Sequence, residues 1–145
     1  MERWDLVVKW GAAAVGGFTS FFYGGWNALL TALLVVVSVD YVTGLMAAYK
    51  EGRDQPEDDS KGLSSEVGFW GLAKKGLLFL IVGLGHHVDL ILGVNALMSG
   101  AIYFFVANEL ISITENLGRV GIKMPDQLKD VIAVLKGKGE GGTKQ

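Results

Sequence analysis

The sequence predicts an all-α integral membrane protein with four transmembrane helices and a short C-terminal amphipathic helix. Two observations carry that prediction. Half of the residues are hydrophobic and only 19% are charged, against roughly 25% in an ordinary globular domain. The charges are also segregated. From Gly11 to Tyr49 the single charge is Asp40, and from Gly76 to Leu110 the only ones are Asp89 and Glu109. Each run exceeds the ~20 apolar residues that cross a bilayer.

The elements follow in order. The stretch from Leu6 to Ala48 is too long for one helix, and "FFYGGWNALL" interrupts it at Gly24-Gly25. Paired glycines punctuate turns, and the flanking Tyr23 and Trp26 favour the headgroup level. Spans are therefore expected over about 6–23 and 26–49. The first is marginal, because residues 6–23 at 1.5 Å each reach only ~27 Å. It either crosses thinly or dips in and returns. "KEGRDQPEDDSKGLSSE", residues 50–66, is densely charged, contains Pro56 and lacks apolar periodicity, so it reads as a solvated loop. Further spans are expected over about 69–90 and 94–114, joined by a short turn around Gly93. Residues 1–116 thus form a transmembrane domain, and 117–145 a tail outside the bilayer. Within the tail, Pro125 suits a first helical position, and Leu128, Val131, Ile132 and Leu135 line one face over 125–136. That spacing predicts an amphipathic helix lying on the membrane or packing on a neighbour. The closing "GKGEGGTKQ" is expected to be disordered.

Other compositional signals are quieter. The chain has no Cys, so no disulfide framework holds it. A cleaved signal peptide is not expected, since Lys9 interrupts the only available h-region and the apolar stretch continues far beyond it. The net charge of −2 says little about partners, because the charges sit outside the spans. Orientation comes from the basic residues. With four spans and both termini inside, all thirteen Lys and Arg fall on one side, as the positive-inside rule favours. The expected location is a multi-pass protein with both termini cytoplasmic.

Polar residues inside the spans are the candidate functional positions. Asp40 lies in the inner half of the second span, and Lys74 and Lys75 enter from the same side in the third. An unpaired carboxylate in lipid is costly, and pairing relieves much of the cost. An Asp40–Lys74 or Asp40–Lys75 pair is one reading; a carboxylate lining an aqueous path between subunits is the other. His86, His87 and Asp89 sit near the outer end of the third span, where adjacent histidines point apart and no convergent third ligand exists, so no metal site is expected. Asn108, Glu109, Ser112, Glu115 and Asn116 stripe the inner end of the fourth span, with Asn108–Ser112 and Ser112–Asn116 at i, i+4. Hydrogen bonding between helices accounts for such a stripe at ~0.6 kcal/mol per contact. Small-residue faces around Gly76, Gly83 and Gly100 let helices approach closely. Nothing matches a nucleotide loop, a catalytic dyad or a transporter repeat, so neither an enzyme nor a cofactor is expected.

The same residues carry a resemblance. "DYVTGLMAAYKEG", "LSSEVGFWGLAKKG", "HHVD" and "VANELISITENLGRVGIKMP", in this order and spacing, resemble the bacteriophage holin family, which includes clostridial toxin-secretion holins. The likeness covers roughly Leu33 to Pro125. A D-Y-x-T-G motif falls on Asp40, Tyr41, Thr43 and Gly44. A second motif falls on Ser64, Ser65, Gly68, Gly71, Lys74 and Lys75. An H-x-x-D motif falls on His86 and Asp89, and an N-E-x-x-S-x-x-E-N motif on Asn108, Glu109, Ser112, Glu115 and Asn116. The acidic "DQPEDDS" insertion and the polar tail depart from the pattern without touching the motifs. The resemblance implies a holin: a protein of the infected bacterium's cytoplasmic membrane that oligomerises into a lesion, releases endolysin without needing to contact it, and times lysis. Its expected partners are further copies of itself and lipid, with no nucleic acid. The alternatives are a small membrane channel or toxin-export pore, and a non-pore membrane adaptor.

Overall fold

A computed structural model of the chain describes residues 2–141, which form five helices: α1 (Glu2–Tyr23), α2 (Ala28–Asp54), α3 (Ser65–Leu92), α4 (Leu97–Val120) and α5 (Asp126–Gly141). Local chemistry sets their ends. Gly24 and Gly25 take φ of 74° and 113°, a region open to glycine at little cost, and so turn the chain between α1 and α2. Asn27 caps α2 by accepting from the Leu30 amide, and Ser64 caps α3 by accepting from that of Val67, each satisfying an otherwise orphaned donor. Gly93 and Gly121 close α3 and α4 in the left-handed conformation. Lys50–Asp54, an i, i+4 pair at 2.7 Å, carries α2 beyond the apolar run into what the charge density suggested was loop. In the remaining loop the Ser60 amide and hydroxyl both donate to Asp58 and hold its carboxyl below the usual carboxylate range.

α4 is the centre of the bundle. It packs against α2, α3 and α5, while α1 touches α3. The core is a column of Leu30, Leu33 and Val37 from α2, Leu78 and Val82 from α3, and Met98, Ile102 and Val106 from α4, with Tyr23 at its α1 end. Only 22%, 17% and 28% of the apolar windows of α2, α3 and α4 are buried inside the chain. The remainder must meet lipid or other copies, since water does not cover apolar patches of that extent.

Among the described residues three helices, α2, α3 and α4, are long and apolar enough to cross a membrane. The four expected spans exceed this by α1. Glu2, Arg3, Asp5 and Lys9 crowd its first half, and four glycine, serine or threonine positions (Gly16, Gly17, Thr19 and Ser20) dilute its second. This corrects the expected topology. An odd number of crossings leaves the segment before α2 and the segment after α4 on opposite sides, so the termini are not both cytoplasmic.

α5 runs antiparallel along α4. Ile132 and Lys129 share a recess with Ile111, Thr114 and Glu115, while Gly139 reaches back to the Phe104 backbone. Leu128, Ile132 and Leu135 are the half-buried stripe, and Val131 is exposed. The helix persists to Gly141, so the disorder expected from Gly137 onward does not hold for 137–141; residues 142–145 lie outside the described part.

Candidate functional site

Three charged side chains, one from each membrane-length helix, meet near mid-length of the bundle. The Lys75 ammonium of α3 lies 2.6 Å from the Asp40 carboxylate of α2 and 2.5 Å from the Glu109 carboxylate of α4. All three side chains are at most 13% exposed. An ammonium has three donors and no acceptor, so one lysine can join two carboxylates at once, tying α2 and α4 through α3. Of the two expected pairings with Asp40, the structure forms the one to Lys75. Lys74 is exposed on another face of α3.

Asn116 completes the arrangement. Its amide nitrogen donates to the Asp40 carboxylate at 3.0 Å, within reach of the Asp40 carbonyl and the Thr43 hydroxyl at 3.3 Å. Its oxygen accepts from Arg119 at 3.2 Å. Arg119 in turn makes a two-pronged ion pair with Glu51, both contacts 2.7 Å, the geometry a guanidinium and a carboxylate share. A continuous polar chain therefore runs Glu109–Lys75–Asp40–Asn116–Arg119–Glu51, from the buried centre to the exposed end of α2. Beside it lies a cleft of about 260 Å³ lined by Asp40, Lys75, Asn116 and Arg119 of this chain of contacts and by Ser112. Among the described residues no buried side-chain nitrogen or oxygen lacks a partner. Two carboxylates share one ammonium, and Asn116 supplies a further donor to Asp40 alone. The network is closed but finely balanced, because each ion removed from water costs several kcal/mol that only complete pairing offsets.

The glycines of two motifs make room for it. A Cβ on Gly44 would sit 3.4 Å from the Asn116 amide. Gly68 accepts from the Tyr41 hydroxyl at 3.4 Å, and Gly71 faces the Tyr41 ring, so the α2–α3 approach is set by Tyr41 lying over small residues. Thr43 bonds to the Asp40 carbonyl. Asn108 is half-buried outside the chain of contacts, and Glu115 is exposed beside Lys129 of α5.

The outer motif is a different device. Asp89 is buried and accepts from the backbone amides of Leu97 and Met98, each at 2.9 Å. Ala96, at the N-cap position of α4, offers no side-chain cap; the preceding helix supplies the carboxylate instead, where the positive helix end favours it. His86 covers Gly24, and Phe22 fills the space above Gly83. With Phe21 against His87 and the Tyr23 hydroxyl donating to the Phe79 carbonyl, these contacts fasten the end of α1 to α3. Gly76 has open space, and Gly100 lies against Gly139 of α5. Of the three glycines expected at close helix contacts, Gly83 is thus the tight one. Gly83→Leu is expected to expel Phe22 and cost about 1–3 kcal/mol, read as a lower melting temperature in detergent and greater protease sensitivity of α1.

Sequence reasoning counted Arg119 only among the basic residues that set topology and placed Glu51 in a solvated loop. The signal was present in the spacing, since Arg119 stands three residues after Asn116 on one helix face. Both members of the pair are partly exposed, so Arg119→Gln is expected to cost only about 1 kcal/mol or less in chemical unfolding. Among the described residues no cluster of His, Asp and Glu is placed to hold a metal ion.

The chain matches the bacteriophage holin family over residues 17–137, a stretch that contains the whole charged network and the Asp89 cap. Similar proteins include an uncharacterized protein of Halalkalibacterium halodurans, 39% identical over 92% of this chain and 96% of that one. Another is an uncharacterized protein of Listeria monocytogenes, 36% identical over 92% and 90%. A protein named probable holin, from Bacillus phage phi105, is 32% identical over 80% of each chain. No solved structure matches significantly.

Proposed function

The chain belongs to the bacteriophage holin family, and from that membership we propose that it accumulates in the bacterial cytoplasmic membrane, oligomerises and opens a lesion through which endolysin passes. Proteins of this family are non-catalytic membrane effectors with a lysis-timing, pore-forming role, and the chain is not an enzyme. The observation that carries the reading is the buried Asp40–Lys75–Glu109 centre in a three-helix bundle with an apolar core. Such groups stay hidden while the helices are closed, and they exchange protein partners for water only when the helices part. Lipid solvates them poorly, so intermediate separations are disfavoured, and opening is expected to be cooperative at a critical density rather than a gradual leak.

Orientation follows from the three crossings. With the loop after α2 and the turn after α4 on the cytoplasmic side, only Arg3 and Lys9 lie opposite, leaving eleven of the thirteen basic residues inside. Single cysteines are informative because the chain has none. An impermeant thiol reagent is expected to label position 3 from outside, and positions 60 and 123 only from inside. Inside labelling at position 3 would return α1 to a crossing helix.

Reconstitution with probes of graded size tests the function. Abrupt release of a folded reporter of enzyme size above a threshold density is expected. Steady small-ion leakage proportional to copy number, with no reporter crossing at any density, would leave a small channel in its place. No permeation at all would leave a membrane adaptor.

A further inference from the structure

The structure sets a charged helix beside a membrane-crossing one. α5 begins at the cytoplasmic end of α4, and its Lys138 lies over the Tyr103 ring, 5.5 Å from the centroid. Tyr103 stands six residues into α4, about 9 Å from its outer end at 1.5 Å per residue. The helix therefore follows α4 through most of the depth of its apolar run. Its docking is specific. Leu128, Ile132 and Leu135 form one half-buried stripe against α4, and Leu135 packs on the central core. Gly139 lies so near α4 that a Cβ there would come within 3.2 Å of the Phe104 backbone nitrogen.

The rest of α5 is uncovered and carries the helix's charges, with Val131, Ala133 and Val134 exposed among them. Asp126, Lys129, Asp130, Lys136 and Lys138 are all exposed, and the Lys129–Asp126 pair at 2.8 Å neutralises only two of them. A lysine near the inner end of a span can extend its ammonium to the headgroups. Lys136 stands too far along α4 for that, and Asp130 is too short, while Lys138, nearer the outer end, lies over the Tyr103 ring. Hydrocarbon against this surface is thus strongly disfavoured, while the apolar stripe and the glycine contact hold the helix in place.

We infer that α5 remains docked on α4 and turns its charged face toward water held between copies of this chain at membrane depth, as the polar wall of the lumen. This rests on the lesion reading for its purpose, although the placement of α5 can be measured separately. The apolar outer faces of α2 and α3 then meet lipid, and α5 spares α4 from exposing its own apolar side to the lumen.

The experiment uses the full chain in vesicles, with single cysteines in place of Asp130, Ala133 and Lys136 carrying nitroxide labels. Above the density threshold, relaxation by a water-soluble nickel complex is expected to exceed relaxation by oxygen several-fold at all three positions. A bis-maleimide between Thr114→Cys and Ile132→Cys, which share one recess, is expected to form readily and leave reporter release within about twofold. Dominant oxygen relaxation would place α5 against lipid and overturn the inference. So would failure of the link to form, or a link that stops release, since either means that α5 works undocked on the cytoplasmic surface. If the unaltered chain releases nothing at any density, the lesion reading fails. The nickel and cross-link measurements then still uphold or overturn a water-facing, docked α5.

Discussion

Replacing Lys75 with Met is expected to destabilise the protein by about 3–5 kcal/mol, because it leaves Asp40 and Glu109 as buried carboxylates without their shared partner. The measurement is chemical unfolding in detergent together with the amount of protein that accumulates in the membrane. Against a total stability of about 5–15 kcal/mol that is a large share of the margin, so the unfolding midpoint and the accumulated amount are both expected to fall sharply. A double-mutant cycle assigns the loss. Adding Asp40→Asn to Lys75→Met should cost clearly less than the sum of the single changes, with a coupling of about 0.5–3 kcal/mol; strict additivity would mean that the two groups do not act as a pair. Function separates from stability in a third variant. Converting Asp40, Lys75 and Glu109 together to apolar side chains of similar size is expected to be neutral or stabilising. It should also delay reporter release, because such a bundle gains less by admitting water between α2, α3 and α4. Release at the normal density from that stable variant would remove the charged centre from the mechanism.

The second large effect is expected at the other end of α3. Asp89→Ala leaves the Leu97 and Met98 amides without acceptors, and Met98 is buried. An unpaired buried donor costs about 1–3 kcal/mol, the range in which loss of a helix cap also falls at ~1 kcal/mol. Hydrogen exchange should show the first turn of α4 fraying while the Lys75 centre persists. Asp89→Asn retains one acceptor oxygen and should lose less than half as much. If both variants match the unaltered chain, the outer motif is not a cap.

The two ends differ in how their chemistry was visible. Asp40, Lys75 and Glu109 stood out in the sequence because a charge inside a long apolar run demands an explanation, and pairing of Asp40 with one of two lysines followed from depth alone. That Lys75 rather than Lys74 turns inward is a matter of helix phase. Adjacent residues differ by about 100° around a helix, so one faces the bundle and the other leaves it. Glu109 as the second acceptor and Asn116 as the link to Arg119 required knowing how α4 packs. Asp89 stood in the sequence only as an acid near the outer end of the third span, and its role as a cap became clear only when the turn at Gly93 brought the start of α4 back onto it.

By itself the sequence determined what is written in composition and short-range spacing. Five helices, turns at Gly24-Gly25 and Gly93, a solvated loop around Pro56 and the membrane class all follow from apolar run length, backbone freedom and local hydrogen bonding. Tertiary structure decided what depends on which helix faces which. It left α1 fastened only through its last turn, brought Lys75 between two carboxylates, and laid α5 against α4 rather than on the membrane surface. Those outcomes are set by contacts between residues tens of positions apart, where a single glycine such as Gly83 or Gly139 determines how close two helices can come.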